Sequence, residues 1–104
     1  MRKMFLLREV VEIGRALGMK THKGSIYWWT TRGHFAEPVA KLPHATWYLR
    51  EDIVRGYLAV GEHYGWKFGE KEIRRAIDLV LERNKEVTKQ MFNFEDVLCD
   101  EKKE

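Results

Sequence analysis

The side chains with the most evident chemistry lie between positions 20 and 32. Lys20, Thr21, Lys23, Ser25, Trp28, Thr31 and Arg32 combine cations, hydroxyls and an indole in one short stretch. Ammonium and guanidinium groups attract phosphate oxygens, and hydroxyls near a helix N-terminus donate to them. Ser25 and Trp28 stand about one helical turn apart, with Arg32 one turn further, so one outward face would hold all three. Two adjacent tryptophans cannot both enter one core from a helix. Trp29 is therefore expected inward and Trp28 outward, where an indole can lie against a sugar-phosphate backbone or a thymine methyl. A second group follows at Lys41, His44 and Thr46, with Arg50 beyond it. Lys41 would meet phosphate, and His44 would donate a hydrogen bond when protonated.

Bond-making chemistry finds no such support. The four histidines, at 22, 34, 44 and 63, have no metal-ligand spacing, and the one cysteine, Cys99, lies in an acidic tail. There is no Gly-x-Ser-x-Gly, and the glycines at 61, 65 and 69 lack the Gly-Lys-Ser/Thr ending of a phosphate-binding loop. Glu51-Asp52 reads as a helix start and Glu95-Asp96 as part of the tail. The expectation is a protein that is not an enzyme and has no cofactor or metal site.

Several elements must position the basic stretch. Residues 5–18 read as an amphipathic helix, with Leu7, Val10, Val11, Gly14 and Leu17 at helical spacing and Gly18 as its stop. A basic turn leads to a second, two-turn helix from Ser25 to Arg32, ended by Gly33. Pro38 and Pro43 disfavour helix, and residues 37–42 and 46–49 read as a β-hairpin turning at 42–45. Arg50-Glu51-Asp52 opens a third helix that ends near Gly61. A fourth spans about 70–92. Ile73, Ile77, Val80, Asn84, Val87, Met91 and Phe94 alternate spacings of 4 and 3 along it, the pattern of a dimer seam with a register-fixing asparagine.

The chain has 104 residues, 44% of them apolar and 34% charged, enough for one core and too few for a multidomain enzyme. Its net charge of +3 is uneven: residues 1–60 carry +5, residues 61–94 carry +1 and residues 95–104 carry −3. The positive half suits a polyanion partner. No uncharged stretch approaches the roughly 20 residues of a membrane span, and the apolar start is too short for a signal peptide. A cytoplasmic protein with no membrane contact is expected.

The order helix, turn, helix, hairpin, helix describes a winged helix-turn-helix followed by a long C-terminal helix, a mainly α fold with a small β-hairpin wing. Gly33-His34-Phe35-Ala36-Glu37-Pro38-Val39 and Trp47-Tyr48-Leu49-Arg50-Glu51-Asp52-Ile53 resemble the wing and third-helix start of MerR-like proteins, nearest the AlpA-type phage regulators and excisionases. Ser25-Ile26-Tyr27-Trp28-Trp29 is similar to that family's recognition helix. The resemblance covers residues 6–60. Three features depart from it: a turn about two residues longer before Ser25, Ala36 where a proline is usual, and His44 where a wing arginine is usual.

The resemblance implies binding of double-stranded DNA, as a small transcriptional regulator or an excisionase-like recombination directionality factor. The expected organisation is a DNA-binding domain at 1–60, a Gly/aromatic linker at 61–69, a dimerisation helix at 70–94 and an acidic tail at 95–104. Phosphates would be neutralised by Lys20, Lys23, Arg32, Lys41 and Arg50, and sequence read by Ser25, Trp28 and Thr31. A homodimer is expected, because pairing doubles a short site. Two alternatives stay open: a DNA-packaging adaptor like a small terminase subunit, and a winged-helix module that binds a phage or host protein instead of DNA.

Overall fold

The structure, a computed structural model, describes residues 2–43 and 45–84. Seven elements follow in order: β1 (Met4–Leu6), α1 (Leu7–Ala16), α2 (Lys23–Thr31), β2 (Ala40–Leu42), β3 (Ala45–Leu49), α3 (Arg50–Tyr64) and α4 (Glu70–Arg83). The fold is mainly helical, with a small three-stranded antiparallel sheet of order β1-β3-β2.

The hairpin forms in the expected region, with Ala40 opposite Trp47 and Leu42 opposite Ala45. The apolar spacing predicts a first helix from residue 5, but the structure has a third strand there. Met4, Phe5 and Leu6 instead pair with Leu49, Tyr48 and Trp47. Side chains alternate across a strand, so Phe5 and Tyr48 share one face, and both are fully buried. The Arg50 N–H donates to the Lys3 carbonyl at 2.7 Å, which carries the pairing into the start of α3.

Two charged groups support this junction from inside. Arg2 donates to Glu9, which is fully buried in the first turn of α1. The other Glu9 oxygen accepts the Leu6 N–H at 2.9 Å, capping the helix where the strand ends. The Arg2 guanidinium also lies 4.5 Å from the centre of the Phe5 ring.

The core is continuous from β1 to α4. Val10, Ile13, Ile26, Ile53, Tyr57 and Val60 join Ile73, Ile77 and Val80 in one buried cluster. For Ile73, Ile77, Val80 and Asn84 this corrects the dimerisation assignment. The stripe at Ile73, Ile77 and Val80 is wholly buried within the chain, where α4 packs on α1 and α3. Asn84 donates to Glu12 of α1 at 3.0 Å and to the Val80 carbonyl, so it ties α4 to its own domain. A 4-3 alternation is also what a single helix needs to cover a neighbour, and here the neighbour is intramolecular. Helix α4 is therefore part of the core that residues 1–60 begin. Val87, Met91 and Phe94 lie outside the described residues.

An aromatic cluster fixes the end of α2. Trp29 and Phe35 stack with centres 6.0 Å apart, and Tyr57 meets Phe35 edge-on at 5.0 Å. Gly56 on α3 makes room for it: a Cβ there would come within 2.7 Å of the Phe35 ring. Phe35 is 3% exposed and has no space to retreat. Gly56→Ala is expected to destabilise the fold by about 1–3 kcal/mol, the usual cost of overpacking. A urea midpoint equal to that of the parent would contradict this.

Two buried phenols set the alkaline limit. Burial pushes Tyr48 up from 10.0 to about 12, and burial pushes Tyr57 up as well. A folded-state value above the unfolded one gives stability that is complete below pH 10 and lost as pH rises beyond it. Urea midpoints are expected to hold flat from pH 8 to about 9.5 and to fall from about 10 upward. An unchanged midpoint at pH 11.5 would refute this account.

Candidate nucleic-acid interface

Helix α2 is short and divides its sides sharply. Ile26 and Trp29 enter the core, while Lys23, Gly24, Tyr27, Trp28, Thr31 and Arg32 are exposed. The indole of Trp28 is 51% exposed, and the Arg32 guanidinium lies 4.3 Å from its ring centre. The stacked pair presents a cation and a flat apolar surface together. Lys20 and His22 are exposed on the turn before the helix, Lys20 beside Trp29, Tyr64 and Trp66.

A groove separates α2 from the hairpin. Arg8 of α1, Lys23 and Tyr27 of α2, and Pro43, Thr46 and Trp47 of the hairpin line it. Arg8, Lys23 and Tyr27 are exposed, so two cations and a phenol are set around one cleft. Lys41 stands on the hairpin beside it, in a surface ion pair with Glu37 at 3.7 Å. Such a pair contributes little to stability and leaves the ammonium open to a stronger anion.

Three expected residues take other roles. Thr21 is wholly buried: its hydroxyl donates to the Met19 carbonyl at 3.3 Å, and it packs against Gly14 of α1. It shapes the turn and is not presented to a ligand. Arg50 is 7% exposed and donates to Asp78 of α4 at 2.9 Å, so it is a strut between helices and not a phosphate contact. Ser25 is half-buried, and its oxygen accepts the His22 N–H at 3.2 Å, a cap at the start of α2. The Thr31 hydroxyl is exposed but donates to the Tyr27 carbonyl at 3.0 Å. Thr46 is half-buried in the groove wall, and His44 lies outside the described residues.

The structure thus brings Lys23, Trp28, Thr31, Arg32, Lys41 and Thr46 to the exposed side of α2 or the hairpin beside it, leaves Lys20 exposed on the preceding turn, gives Ser25 a capping role, and removes Thr21 and Arg50. It adds Arg8 and Tyr27. Tyr27 had a local signal, since it follows Lys23 by four residues and so shares its helix face. Arg8 had none: it reaches the groove only because α1 starts directly at the end of β1.

Among the described residues, no group of three or more histidine, cysteine, aspartate or glutamate side chains is placed to hold a metal ion. Among them also, no helix is long and apolar enough to cross a membrane. Comparison with protein-family models, with curated proteins and with solved structures gives no match.

Proposed function

We propose that the protein binds double-stranded DNA as a winged helix-turn-helix regulator or excisionase-like factor, with α2 in the major groove and the β2–β3 hairpin as the wing. The observation that carries this reading is the groove between α2 and the hairpin. Arg8 and Lys23 flank it, Lys41 stands above it, and the Trp28–Arg32 pair lies on the adjoining exposed face of α2. Cations spaced around a cleft suit a phosphate backbone, and an exposed helix face beside them suits the base edges. The element order and the MerR-like sequence pattern support the same assignment.

Arg8, Lys20, Lys23, Arg32 and Lys41 take the phosphates in this reading. Tyr27 and Trp28 meet the bases or sugars, and Thr31 borders them. Ser25 serves mainly as a cap, so Tyr27 and Trp28 are the better probes of sequence preference. The test is a fluorescence-anisotropy titration of mixed-sequence duplex DNA at two salt concentrations, with sedimentation of the same complex. Salt-sensitive binding supports the reading, and the sedimented mass separates a small regulator from a ring-like packaging adaptor. No binding at low salt rejects DNA as the partner and leaves the protein-interaction alternative.

A further inference from the structure

The His34 and His63 rings meet across the ends of two helices. Their centres are 4.8 Å apart with the planes tilted by 43°. His34 follows the last turn of α2, and its N–H donates to the Trp29 carbonyl at 2.9 Å. His63 is in the last turn of α3, where the Tyr64 ring meets it edge-on at 4.7 Å. Gly33, with φ 83°, and Gly65, with φ 74°, close those two helices in the left-handed conformation. Both histidines are thus held on fixed backbone, yet His63 is exposed and His34 only half-buried.

We infer that His34 and His63 form a two-histidine site for a divalent transition-metal ion such as Zn²⁺ or Ni²⁺. The spacing suits a shared ion. A ring nitrogen about 2.1 Å from zinc puts the imidazole centre roughly 3.2 Å from it. Two such rings are then about 4.5 Å apart at a right angle and about 5.2 Å apart at the tetrahedral angle. The observed 4.8 Å falls between these values. The electrostatics agree, since both rings sit at helix C-termini, whose partial negative charge favours a nearby cation. With two protein ligands, water fills the remaining positions. Imidazole selects nickel, copper or zinc over magnesium, which prefers oxygen. The ion would clip the end of α2 to α3. This inference does not depend on DNA binding.

The test uses the full chain without an affinity tag, titrated separately with ZnCl₂, NiCl₂ and MgCl₂ by calorimetry and thermal melting. Saturable binding of one Zn²⁺ or Ni²⁺ per chain is expected, with a raised melting temperature and no effect of Mg²⁺. His34→Ala and His63→Ala should each weaken binding at least about tenfold, and His22→Ala should leave it unchanged. His63 is exposed, so His63→Ala decides the matter even if His34→Ala melts early without metal. The inference is overturned by no saturation below about 1 mM metal, or by equal binding in His63→Ala.

Discussion

Replacing Glu9 by alanine is expected to cost about 3–5 kcal/mol, the usual result of breaking a buried ion pair from one side. Glu9 and the Arg2 side chain are both almost inaccessible to solvent. Two guanidinium nitrogens of Arg2, Nε and Nη1, already have no hydrogen-bond partner among the described residues. Taking away the carboxylate would leave a buried cation with only the Phe5 ring to offset its desolvation. It would also free the Leu6 N–H that caps α1 and ends β1. Glu9→Gln keeps the shape and an acceptor for Leu6 but loses the charge, so it should fall between parent and alanine. A double variant, Arg2→Met with Glu9→Leu, removes both charges and should be more stable than Glu9→Ala alone. Urea unfolding of the three variants checks this order. If Glu9→Ala unfolds at the parent's midpoint, the pair does not anchor the strand-to-helix junction.

That junction also shows where the sequence was hard to read. Residues 5–18 have a helical apolar spacing, and Phe5 and Leu6 continue it smoothly. Only pairing with β3, more than forty residues away, makes Met4–Leu6 a strand. Three residues have too little alternation to announce themselves. The two tryptophans were legible because the geometry of one helix decides them: Trp29 is buried and Trp28 exposed. The hairpin was legible from its prolines and its β-branched and aromatic residues. Helix α4 is legible as a helix, but its partner is not, because a stripe of Ile73, Ile77 and Val80 has the same spacing whether it covers another copy or its own α1. The burial of Thr21 and Arg50 is illegible for a related reason. Residue type suggests what a side chain can bind, while burial decides whether anything can reach it. Glu9, an acid among apolar positions, gave no local sign that Arg2 would follow it inside.

Binding to duplex DNA is expected to weaken roughly 10²- to 10³-fold between about 50 and 200 mM monovalent salt. The size follows from counterion release. Each neutralised phosphate adds about 0.9 to the logarithmic salt slope, and Arg8, Lys20, Lys23, Arg32 and Lys41 would supply about five. Lys23→Ala should lower affinity roughly five- to tenfold for every sequence and reduce the slope by about one. Arg8→Ala should do the same, because it stands on the opposite side of the same groove. Arg50→Ala, by contrast, should leave the slope unchanged while lowering stability, since its guanidinium is held by Asp78 inside the fold. Trp28→Ala should alter which sequence is preferred, because its ring is exposed on the face that would meet the bases. The contrast between Arg8 and Arg50 is the sharper part of the test. Both are arginines in the basic half of the chain, and only their placement in the fold separates them. Equal slopes for Arg8→Ala and the parent would move the DNA path away from the α2–hairpin groove. A slope that fell with Arg50→Ala would mean that the Arg50–Asp78 contact opens when DNA binds.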